Sequence, residues 1–186
     1  MNLNFNFVLA RFLRPLCIGL CVMGLSISTQ AEQLAASADD FFEVSFGDLQ
    51  EELELSKEEG KKGLVVMFET QDCPWCLRMK QQVLNRVRVQ EYYSEHFRAL
   101  SMNAEGDVSV VDFDGSETTA KEFSLRAMRV RATPVFAFFD NSGALLTRYT
   151  GALKNAHDFL LLGRFVADGH YKDQKFNRFR RENQPL

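Results

Sequence analysis

The sequence predicts an α/β fold in which one central mixed β-sheet carries helices on both faces. Three observations support that prediction. Continuous apolar runs of strand length, residues 64–68 and 135–139, read as strands covered on both sides. Stretches with apolar residues at helical spacing lie between them, and such helices bury their stripes by packing over a sheet. Finally, Asp140-Asn141-Ser142-Gly143 is a turn sequence between residues 135–139 and the answering stretch 144–150, so the last strand pair forms an antiparallel hairpin.

With 186 residues, 46% of them hydrophobic, and 17 Phe, the chain can bury one substantial core in a single domain. A net charge of -3 and a pI near 5.7 argue against a nucleic-acid binder, which shows a strongly basic face. Residues 1–31 read as a signal peptide: Arg11 and Arg14 precede an apolar stretch from Pro15 to about Ile27, and Thr29-Gln30-Ala31 places small side chains at both flanking positions of a cleavage site. The stretch falls short of the roughly 20 residues that span a bilayer, which favours a cleaved signal and no stable membrane anchor afterwards. Cleavage removes Cys17, Cys21 and two arginines, leaving 20 basic and 25 acidic residues, a net charge of -5. Cys73 and Cys76 are then the only cysteines.

Taken in order, residues 32–44 are an N-terminal lead ending in Phe41-Phe42, and residues 45–168 form the domain. A first helix is predicted over residues 45–60, with Phe46, Leu49 and Leu53 on its buried stripe and Gly60 and Gly63 ending it. The strand at 64–68 runs into Cys73-Pro74-Trp75-Cys76. Because Pro is tolerated at the first helical position, a helix starts at Pro74, and Met79, Val83 and Val87 recur along it every four residues. A second helical piece follows over residues 91–96. Residues 97–102 read as a strand, and 108–113 as an alternating strand ended by Asp114-Gly115. Asp107, Asp112, Asp114 and Glu117 lack the spacing of a calcium-binding loop and are assigned to turn chemistry. Ser116 or Thr118 is expected to cap a helix over residues 119–128. After the hairpin and Gly151, a last helix covers residues 155–168. Residues 169–186 form a basic tail with five basic and two acidic residues, read as a solvated extension or a short docking helix.

The chemistry is concentrated in Cys73-Pro74-Trp75-Cys76. Two thiols three positions apart at the first turn of a helix can meet as a disulfide, and the helix start favours a thiolate on the first. A bridge closing so short a loop stabilises little, so the pair is better explained by reactivity. Zinc would need further ligands, and only the widely spaced His96, His157 and His170 are on offer. No metal and no organic cofactor is implied.

The apolar strand leading into this motif, the helix after it, and Thr133-Pro134 before a second apolar strand, a turn and Gly151 together resemble the thioredoxin superfamily over nearly all of residues 45–168. Phe68-Glu69-Thr70, Asp112-Phe113-Asp114-Gly115 and Val130-Arg131-Ala132-Thr133-Pro134 are similar to thioredoxin-like proteins associated with periplasmic sulfur-oxidation systems. The resemblance implies a thioredoxin fold, a periplasmic location and thiol–disulfide exchange. Cys73, its sulfur exposed, would be the attacking thiolate and Cys76, more buried, the resolving thiol. Pro134 would follow a cis peptide bond, presenting the backbone of Thr133 to an extended substrate strand, with Pro74 and Trp75 supporting the site.

The implied partners are exported client proteins, held in transient mixed disulfides, and a membrane thiol electron donor. Reduction of client disulfides is the expected direction; oxidation or isomerisation by the same cysteines, and a redox-inert binding module, are the alternatives. One departure stands out. Thioredoxin carries a buried acid six positions before the first Cys, where this chain has Met67. Strand alternation places Glu69 on the same face two residues nearer the cysteines, so Glu69 is expected to handle the Cys76 proton.

Overall fold

The computed structural model describes residues 35–184. The expected signal peptide at 1–31, the first residues of the lead and the last two residues of the tail lie outside the described residues.

Helix α1 spans Leu49–Glu58, starting later than residue 45. The cause is Asp48, whose Oδ1 accepts the backbone N–H groups of Gln50 at 2.9 Å and Glu51 at 3.0 Å and so caps the helix there. Phe46 therefore lies before the helix, off its buried stripe, and is 91% exposed. Strand β1, Gly63–Glu69, follows. Its first residue must be glycine: φ is +141°, and an added Cβ would stand 2.0 Å from the Phe139 carbonyl oxygen. Residues 63–68 are all buried, as a central strand requires.

Helix α2 covers Pro74–Met79 and continues as a π-helical turn, Lys80–Leu84. Met79 and Val83 are buried on it, whereas Val87 opens a separate helix, α3, spanning Val87–His96. Strand β2 is Arg98–Asn103. The strand expected over residues 108–113 shrinks to β3, Ser109–Val111, which pairs with β4, Glu117–Thr119, in a separate two-stranded ribbon. Between them Asp112 and Asp114 each accept a backbone N–H two residues on, from Asp114 at 3.2 Å and Ser116 at 2.9 Å. The cap of the next helix is Thr119, not Ser116 or Thr118: its Oγ1 accepts the Glu122 N–H at 3.2 Å, starting α4, Ala120–Glu122, with a π-helical continuation to Ala127.

Strands β5, Val135–Asp140, and β6, Leu145–Thr150, form the expected hairpin, and α5, Ala156–Ala167, is capped by Asn155. The tail is not a solvated extension. Its helix α6, Phe176–Glu182, docks on α5: Phe176 and Phe179 are buried, and both rings pack against Phe165 with centroids 5.5 Å apart.

The main sheet has the order β2-β1-β5-β6, with β1 parallel to β2 and antiparallel to β5. It separates two cores. On one face Val65, Met67, Phe136 and Phe138 pack with residues of α2, α3, α5 and α6, including both cysteines. Leu64, Val66, Phe68 and Phe139 on the other face pack against α1 and α4. Helices thus cover both faces, as the sequence predicts. Among the described residues no helix is long and apolar enough to cross a membrane.

Candidate active site

Strand register brings the two halves of the site to one end of the sheet. Phe68 of β1 pairs with Val135 of β5, so the chain leaving β1 toward Cys73 and the chain entering β5 through Pro134 are neighbours. Thr70 and Thr133 tie them together, their hydroxyl oxygens 3.3 Å apart. The Thr133–Pro134 peptide bond is cis. The Pro134 carbonyl accepts the Gly151 N–H at 2.8 Å, and Gly151 has φ +106° with open space where a Cβ would stand, so this glycine serves backbone geometry and not close approach.

Cys73 is the N-cap of α2, and Pro74 occupies the first turn, where its missing N–H costs nothing. The two sulfurs form a disulfide, 2.08 Å long, and the Cys76 N–H also donates to Cys73 Sγ at 3.1 Å. That donor, together with the helix dipole, stabilises negative charge on Cys73 Sγ once the bond is reduced. Cys73 is only 9% exposed, so it is less open than its expected role suggests; Cys76 is 2% exposed and sealed in the core. Of the two, Cys73 is the less deeply buried and so the more accessible to attack from solution. Trp75 and Leu77 are more than half exposed beside them, and the Arg78 guanidinium lies 5.6 Å from the centre of the Trp75 ring.

Met67 is fully buried on the cysteine face of the sheet. Glu69 is largely covered, and one of its oxygens accepts from both Lys80 Nζ at 2.7 Å and Ser101 Oγ at 2.6 Å. Lys80 sits one turn beyond Cys76 and donates its backbone N–H to the Cys76 carbonyl. Thr70, Lys80 and Ser101 are site residues that sequence reasoning did not find. Hints existed for Thr70, which stands in the Phe68-Glu69-Thr70 stretch, and for Lys80, at the i+4 position from Cys76 on a predicted helix.

The histidines lie elsewhere: His96 stacks on Tyr92 and His170 packs on Phe179. No three His, Cys, Asp or Glu side chains converge as metal ligands among the described residues.

The family of thioredoxin-like domains matches residues 49–167. No curated protein sequence matches the chain significantly. Among solved structures, a thioredoxin-fold protein from Helicobacter pylori is similar at 21% identity and a TM-score of 0.59, covering 80% of this chain and 94% of that one. A DsbH oxidoreductase is similar at 19% identity and a TM-score of 0.50, covering 76% and 92%. A candidate disulphide-isomerase from Bacteroides thetaiotaomicron is similar at 25% identity and a TM-score of 0.50, covering 66% and 93%. The family match takes in the cysteine pair, the cis-proline loop and both faces of the sheet, and the chain belongs to the thioredoxin-like domain family.

Proposed function

We propose that the protein is a periplasmic thiol–disulfide oxidoreductase that reduces disulfides of exported client proteins. The observation behind this reading is the unequal cysteine pair: Cys73 at a helix start with an N–H donor on its sulfur, Cys76 buried one turn in. In the reduced protein the Cys73 thiolate attacks one sulfur of a client disulfide, and the other client sulfur leaves as a thiolate and takes up a proton. The client is then held to Cys73 by a mixed disulfide. Cys76, losing its proton, attacks Cys73 Sγ; the Cys73–Cys76 bond forms, the second client thiolate leaves, and two electrons have passed to the client. Glu69 is the proposed acceptor of the Cys76 proton. Thr133 offers its backbone to the client strand beside the cysteines. A membrane thiol carrier would then re-reduce the protein, since cytosolic reductants do not reach an exported one.

A Cys76→Ser variant is expected to stall as a Cys73-linked mixed disulfide, and mass spectrometry of the trapped species names the clients. Purified protein supplied with a thiol donor is expected to reduce a model protein disulfide. If it cannot, yet oxidises reduced clients efficiently, the reductase reading is wrong. An oxidant is the second reading, favoured by the Cys76 N–H on Cys73 Sγ, because stabilising the reduced form raises the potential. Equilibration with a glutathione buffer separates the two: a reductase stays oxidised at ratios where an oxidant is reduced.

A further inference from the structure

We propose that the cleft beside the cis-proline loop selects client segments that carry a carboxylate near the reactive cysteine, with Lys121 and Arg131 as the selecting side chains. The inference rests on the thiol–disulfide exchange proposed above and deepens it by stating the substrate class.

The cleft encloses about 340 Å³ and begins at Thr70 and Thr133, the two hydroxyl residues that join the halves of the site. A client strand laid along the Thr133 backbone would therefore continue into it. Leu125, exposed on the α4 side, supplies an apolar contact. The charged side chains on its lining are Lys121, Arg131 and Glu105, all exposed, two positive against one negative. Neither cation forms an ion pair among the described residues, in contrast to Arg126 on the same helical segment, which pairs with Glu122 at 3.3 Å. Two uncommitted cations in a concave site attract a carboxylate and repel an ammonium group.

The wall that carries Arg131 is held in place. Arg129, at its head, adopts a left-handed backbone with φ 50°, and the Val130 N–H donates to the Ser124 carbonyl at 2.8 Å. Arg131 thus sits on a positioned loop and Lys121 on helix α4, neither on a free end, which is what discrimination between client segments requires.

The test uses peptides with one cysteine in mixed disulfide with 2-mercaptoethanol, in which Glu, Gln or Lys is scanned through the positions on either side of that cysteine. Reduction by the dithiol form of the whole protein is expected to favour Glu over Gln about fivefold on one side of the cysteine, the size of an exposed ion pair. Lys should be slower than Gln there, and the preference should shrink in 0.5 M salt. In Lys121→Gln plus Arg131→Gln the Glu-to-Gln ratio should fall to one, and Arg131→Glu should move the preference toward Lys. Ratios within each variant are unaffected by changes in its overall rate. A wild-type ratio of one, with the peptides and bis(2-hydroxyethyl) disulfide still reduced, overturns the cleft proposal and leaves the exchange reading standing; failure to reduce any of these disulfides overturns both.

Discussion

Glu69, the proposed acceptor of the Cys76 proton, is held at the end of β1 by two donors. One of its oxygens accepts from both Lys80 and Ser101, in a side chain still 17% exposed. If this carboxylate takes the Cys76 proton, Glu69→Gln should flatten the pH dependence of mixed-disulfide resolution in stopped-flow measurements. An unchanged profile would remove Glu69 from the mechanism. The cysteines and Pro134 were legible because their chemistry is local: a four-residue motif at a strand–helix junction and an X-Pro step before a strand. Glu69 was legible as a face by strand alternation alone. Its partners were not, since which helical side chain crosses over a strand end is set by the angle at which α2 lies on the sheet, and no local pattern encodes that angle.

Among the elements, α1 shows both what the sequence reveals and how it misleads. Phe46, Leu49 and Leu53 have helical spacing, yet Asp48 with Glu51 three residues later is a helix-start signal, and it overrides the stripe. The helix is fastened to β2 through Arg98, which bonds Glu52 at 2.9 Å inside the protein and also reaches Glu59. Burial raises the Glu59 carboxyl, but Lys61 and Arg98 outweigh it and hold the group below its ordinary value of 4.5. A carboxyl depressed in the folded state contributes stability above the unfolded value and loses it as pH falls through the folded one. Chemical denaturation from about pH 5 to about pH 3 should therefore cost the wild type more stability than Glu59→Gln; parallel curves would show that the pairing contributes nothing. The π-helical turns in α2 and α4 and the short β3–β4 ribbon had no signature in the periodicity, because each is a local accommodation to packing around it.

On the scale of the whole molecule, the basic composition of residues 169–186 concealed two apolar anchors. Phe176 and Phe179 are three residues apart, on one face of a helix, and α6 is also held by Gln184, which donates to the buried Asp158 at 2.9 Å. Phe179→Ala should cost about 3 kcal/mol in equilibrium unfolding, as for other buried aromatic truncations; a change under about 1 kcal/mol would mean that the helix is an ornament of the fold.

The division of the interior by the sheet also bears on how the protein registers its own oxidation state. Cys73 and Cys76 belong wholly to the layer beneath α2, α3 and α5, and α1 and α4 lie behind a wall of backbone hydrogen bonds. Opening the disulfide should therefore loosen one side of the molecule selectively. Amide hydrogen exchange is expected to quicken in α2, α3 and α5 on reduction while α1 and α4 hold their protection, and equal quickening on both sides would contradict it. A partner that reads the state of the dithiol at a distance would have to do so from the cysteine side, because the sheet screens the other half of the protein from the change.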